Sequence, residues 1–314
     1  MLSRFFWFEL LLALALGLVL RPTVAADSPI SVRDGAGRHI SLARPAERVI
    51  ALSQGSLDIV QALGGRLVGR PSLTGISLPA ELQSLPAVGN AVAPNLEAIL
   101  AARPDLIIAP AQAHGDVAQR LQVVQATQYL SQARTVDEVV QVIRDIGTLL
   151  GRPEQATALG QDLRQELDEV RSGLPATPRP TIFLFGTTQA FLVIAPWTYA
   201  GDLLRLAGGQ NLAADIVSAY QHDPGYELGF LPLSLEELLV TKPEVICVLS
   251  HGDPQAVTTA LSAELGSHPA WQELSAVQRG RVHVMPATLF SADPGLNFPQ
   301  AVRLLSEVLH ERQP

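Results

Sequence analysis

The chain has 314 residues, 47% of them apolar, enough to build one large or two medium domains around a sizeable core. Its formal net charge of −8 excludes a nucleic-acid partner, because phosphate binding requires a basic face. The single cysteine, Cys247, excludes an internal disulfide and lies in the apolar run EVICVL, where it reads as a small buried hydrophobe.

Residues 1–26 read as a secretory signal peptide. Arg4 supplies the positive end, an apolar stretch broken only by Glu9 runs to Leu20, and Thr23, Ala25 and Ala26 form a small-residue cleavage site. The unbroken run from Leu10 to Leu20 is short for a bilayer span. No cysteine stands at the cleavage site to carry a lipid, so the mature protein is expected to be soluble and periplasmic.

An N-terminal α/β lobe is expected over residues 27–151. RVIAL predicts a strand, SQGS a turn, and SLDIVQALGG a helix closed by glycine. Gln54 and Ser56 sit in that turn, beside helix N–H groups that favour anions; capping alone also accounts for them. Further on, Val136, Val139, Val140, Ile143 and Ile146 form one apolar stripe at helical spacing. After Gly151 and Pro153 a second stripe follows, Ala156, Leu159, Leu163, Leu167 and Val170, and the Pro-rich SGLPATPRP ends it. Residues 152–175 are therefore expected to be a long backbone helix between lobes, and residues 176–314 a C-terminal α/β lobe. There PTIFLFGT predicts a strand, FLVIAP a hairpin partner and TYAGDLLRLAGG a helix. Trp197 and Tyr199 fall in APWTYAG, suited either to stacking on a flat macrocycle and bonding a carboxylate or to packing on the next helix.

Two segments echo one another. NLEAILAARPDLIIAPAQAHGD (Asn95–Asp116) and SLEELLVTKPEVICVLSHGD (Ser234–Asp253) both run polar cap, Leu, Glu, helix, basic residue, Pro, acid, apolar strand, then His-Gly-Asp. Asn95 and Ser234 predict N-caps, and the acids Glu97 and Glu236 suit a helix start. LIIAP and VICVL are too short for helices and read as buried parallel strands. His114 and His251 then follow the strands' carboxyl ends, where ligands bind in open α/β sheets. The remaining histidines show no metal-ligand spacing. The expected fold is α/β: two lobes bridged by a long helix, with the ligand cleft between them.

These stretches, together with YAGDLLRLAGGQNLA and WQELSAVQRGRVHVMP, resemble over essentially the whole mature chain the helical-backbone substrate-binding proteins of ABC importers. That group serves haem, cobalamin and ferric siderophores. VGNAVAPNLE, FLVIAPWTYAGDLLRLAGGQN and SHGDPQAV are most similar to haem receptors of the iron-regulated surface type. The resemblance implies His251 as an axial ligand of haem iron. In those relatives the G-N-x-M segment supplies a methionine opposite; here the segment is GNAV and Val92 cannot ligate. His114 is the candidate substitute. Trp197, Tyr199 and Gln54 complete the candidate ligand contacts.

The resemblance further implies a permease dimer with its ATPase subunits as partner, met by Glu97 and Glu236, and a monomeric receptor. Cobalamin or a ferric siderophore stays open as the alternative ligand. No catalytic cofactor is expected. No G-x-S-x-G, H-E-x-x-H or Walker sequence occurs, and no enzyme is expected.

Overall fold

The computed structural model describes residues 29–73, 78–111, 117–187, 190–223, 225–250, 253–290 and 295–310. The expected signal peptide lies outside them. The described chain opens with an antiparallel hairpin, β1 (Ile30–Arg33) and β2 (His39–Leu42). Asp34 fixes its turn: it is buried, accepts the Ala36 and Arg38 N–H groups, and pairs with the Arg38 guanidinium at 2.7 Å.

Four parallel strands form the first sheet, in the order β4-β3-β5-β6: β3 (Val49–Ala51), β4 (Leu67–Gly69), β5 (Leu106–Pro110) and β6 (Thr127–Ser131). Parallel strands need cover on both faces, which is why VIA and LIIA are wholly buried. The helices between them are α1 (Gln54–Ala62), α2 (Ala80–Gln83), α3 (Leu96–Ala102) and α4 (Val117–Arg120). Ser53 caps α1 and Asn95 caps α3 through their side-chain oxygens.

Helix α5 (Val136–Leu149) starts at the Thr135 cap and packs along α6 (Pro153–Ser172). The approach is close enough that a Cβ on Gly147 would overlap Ala156, so glycine sets the spacing of the two helices. Proline at the first position of α6 uses a residue with no N–H where none is needed. The 20 residues of α6 span about 30 Å, the reach of the expected bridge.

The second sheet runs β10-β8-β7-β11-β12, with β9 beside β7. Its strands are β7 (Arg179–Gly186), β8 (Phe191–Ile194), β9 (Gly209–Asn211), β10 (Phe230–Pro232), β11 (Val245–Ser250) and β12 (Val282–Met285). β7 lies parallel to β11 and β9, and β11 parallel to β12, whereas β8 returns antiparallel to β7 as a hairpin. Its helices are α7 (Tyr199–Leu206), α8 (Leu235–Thr241), α9 (Pro254–Glu264), α10 (Pro269–Glu273), α11 (Ser275–Gln278), α12 (Ala287–Phe290) and α13 (Phe298–His310).

One apolar cluster passes through both lobes. It joins Val49 and Leu106 of the first, Val140 and Leu167 of the helical bridge, and Phe183, Val245, Leu203 and Val302 of the second. The molecule is thus two α/β lobes on a shared helical spine.

Candidate functional site between the lobes

In open α/β sheets ligands collect beyond the carboxyl ends of parallel strands. In the first lobe that edge holds the residues after β3, β4 and β5; in the second, those after β7 and β11. His114 and His251 lie outside the described residues. β11 runs buried up to Ser250, whose hydroxyl donates to the Met285 carbonyl at 3.0 Å, and His251 is the next residue in the chain.

Val92 sits on a turn at the first-lobe edge and is 57% exposed. Asn90 Oδ1 accepts the Val92 and Ala93 N–H groups at 3.0 and 2.9 Å. Gly89 takes φ 77°, and a Cβ there would strike the Ala93 carbonyl, so glycine is required. Arg120 Nη1 donates to the Val92 carbonyl at 3.2 Å and ties the turn to α4. An exposed valine on a stiff turn offers an apolar contact and no metal ligand.

Gln54 is the first residue of α1, at the same edge. Its Nε2 donates to Asp58 Oδ1 at 2.9 Å, and its Oε1 is buried with no hydrogen-bond partner among the described residues.

Trp197 and Tyr199 do not join this edge. They follow β8, and an antiparallel strand carries the chain away from the edge at which β7 ends. Trp197 instead meets Tyr226, ring centroids 4.7 Å apart at 52°. Tyr199 is 4% exposed in the shared core, and burial, then the neighbouring Asp202 charge, push its phenol well above the usual range. The hairpin expected of FLVIAP already implies this direction, and packing is the other reading the sequence leaves open for both residues. Cys247 is buried as expected, and burial pushes its thiol up to about 12, so it supplies no thiolate.

Two residues missed in the sequence belong here. Arg70 directly follows β4 and Arg120 closes α4. The visible signal is a cation ending the short apolar run LVG, just before a proline.

Glu97 and Glu236 are both exposed, each the second residue of its helix. α3 and α8 run into β5 and β11, so both helices begin at the ligand-binding edge of their sheets.

Two α/β lobes joined by a helical spine are the architecture of the substrate-binding components of ABC importers. The chain belongs to the periplasmic binding protein family, whose pattern matches residues 49–289. It is 30% identical over 249 residues to the vitamin B12-binding protein of Vibrio cholerae, covering 77% of this chain and 82% of that protein. It is 21% identical over 248 residues to the high-affinity heme uptake system protein IsdE of Staphylococcus aureus, covering 78% and 81%. Among solved structures, an ABC transporter substrate-binding protein from Listeria monocytogenes superposes with TM-score 0.74 at 25% identity, covering 86% of this chain and all of that one. As a member of that family the chain is a transport component and not an enzyme.

Proposed function

We propose that this is a periplasmic receptor that captures haem and hands it to the permease of an ABC importer, with His251 as the axial ligand of the iron. The observation that supports it is the end of β11: the buried strand stops at Ser250, and the chain continues at once as His-Gly-Asp-Pro, the segment resembling the ligating one of haem receptors. Haem iron accepts imidazole nitrogen well. Val92 leaves the opposite side without a methionine, so the iron is five-coordinate or takes His114.

A second reading is favoured by one observation. Cobalamin needs no iron ligand from the protein, and the relative at 30% identity bears the name of a vitamin B12-binding protein.

Titration with haemin separates the two. The haem reading expects a Soret band at one equivalent, and His251→Ala should shift that band and weaken binding at least about tenfold, as loss of one good ligand does. His114→Ala tests the substitute. An unchanged haemin spectrum together with tight cyanocobalamin binding would move the assignment to cobalamin.

A further inference from the structure

The corner of the first lobe around Arg70 carries an unmet demand for an anion. The backbone of Arg70 is fixed: its N–H donates to the Pro86 carbonyl and its carbonyl accepts the Val88 N–H, both at 3.0 Å, extending β4 by one bridge to Ala87. Its guanidinium is not matched in the same way. Nη1 lies 3.5 Å from the Pro71 carbonyl, at the limit of a hydrogen bond, and Nε is buried with no partner among the described residues. No acid among the described residues comes within ion-pair range of it. Acids are not scarce in this chain: seven other arginines, among them Arg38, Arg179 and Arg205, have carboxylate partners.

A half-buried guanidinium left unpaired is unfavourable unless something else supplies the acceptor. Its position says where that acceptor comes from. Arg70 stands at the carboxyl end of a parallel strand, the edge that faces ligand in this architecture. The strand segment it pairs with runs straight into the Gly89–Val92 turn, and the Ser72 N–H holds the Gly89 carbonyl at 2.8 Å. Arg120 grips the other side of that turn through one N–H, with no acid among its partners in the described residues. Two arginines therefore hold one segment, Arg70 through its backbone at Pro86–Val88 and Arg120 at the Val92 carbonyl, in a protein of net charge −8. A planar guanidinium fork suits a carboxylate, which it binds through two parallel bonds.

We propose that Arg70, seconded by Arg120, reads an ionised carboxylate of the bound ligand and so selects a macrocycle with carboxylate side chains over one whose side chains end in neutral amides. Haem carries two propionates and fits the first description; the corrin of cobalamin fits the second. The proposal rests on the reading of this chain as a macrocycle receptor and decides between its two candidate ligands.

The test compares haemin, haemin dimethyl ester and cyanocobalamin, titrated into the mature protein in the same solvent mixture. Esterification removes the charges and keeps the iron and the ring. Wild-type protein should bind the ester about 10- to 100-fold more weakly than haemin, the span of one charge-assisted contact. Arg70→Ala should lose a similar factor for haemin and little for the ester; Arg120→Ala should lose less. If Arg70→Ala does not fold, the wild-type ester comparison stands alone, and Arg70→Lys, which keeps the charge but not the fork, should fall between. Equal affinity of wild type for haemin and its ester, or an equal loss of both in Arg70→Ala, overturns the proposal while the haem reading survives. A wild-type protein that takes cyanocobalamin and ignores haemin overturns both.

Discussion

Asp202 shows how much one carboxylate contributes to joining the lobes. It lies on α7 of the second lobe with its side chain 7% exposed, and its Oδ2 accepts the N–H of Val136 at 2.9 Å. Val136 is the first residue of α5, so the carboxylate also meets the positive end of that helix. The Arg205 partner is 66% exposed and adds little once solvent screening is counted. Replacing Asp202 by alanine strands a buried N–H and weakens a helix start. The expected loss is about 2 kcal/mol in urea unfolding. Asp202→Asn keeps an acceptor oxygen and should lose about half of that. A change below about 0.5 kcal/mol in the alanine variant would show that Thr135 alone caps α5 adequately. Nothing in the sequence announces this pair, since its members are separated by the whole of α6 and β7. Tyr199 differs: the hairpin read from FLVIAP gives the strand's direction, and what the sequence does not show is the core shared by both lobes that buries the ring.

At the scale of elements, the echoed helices can be compared residue for residue. Asn95 and Ser234 each cap with a side-chain oxygen, and Arg103 and Lys242 each end the helix in the left-handed region, at φ 47° and 53°. They are the two non-glycine residues with positive φ among the described residues. Pro104 and Pro243 explain the need to stop, because proline cannot continue a helix. Glycine is the usual residue at such an exit, and a long side chain there is strained. Arg103→Gly and Lys242→Gly are therefore each expected to stabilise by about 0.5 kcal/mol, the strain relieved being partly offset by a looser unfolded chain. Thermal unfolding of both variants checks this, and a loss of stability in either would mean that its cationic side chain, and not its backbone, matters at the helix end. This duplicated unit is where the sequence is most legible. Cap, apolar stripe, proline and buried strand are all local signals, and α3, β5, α8 and β11 fall where those signals put them. The paired stripes likewise announce α5 and α6. The short strands β9 and β10 and the β1–β2 hairpin carry no comparable pattern, and their pairing depends on partners distant in the chain.

For the whole molecule, the spine and the two edges act together. The cluster that joins Leu106, Leu167, Phe183 and Val302 fixes the spacing of the lobes, since opening it would expose apolar surface from both. Features set on the two lobes are therefore expected to keep a nearly constant separation when ligand binds. Glu97 and Glu236 are such features: equivalent in the echo, exposed, and placed at helix starts on the ligand-binding edges. A helix-dipole contact, worth about 0.3–1 kcal/mol, accounts for an acid at each position but not for a matched pair across a rigid frame. We propose that the pair docks on a two-fold permease, each acid meeting a cation on one half, with charge complementarity fixing the register. Reversal of both charges, Glu97→Arg with Glu236→Arg, should leave unfolding and haemin titration close to wild type, because neither side chain is buried. Ligand-dependent uptake through the reconstituted importer should fall at least about tenfold, with each single variant intermediate, as expected for two rim contacts with similar roles. Full uptake by the double variant would return both acids to their helices, and loss of haemin binding in it would place them at the ligand instead.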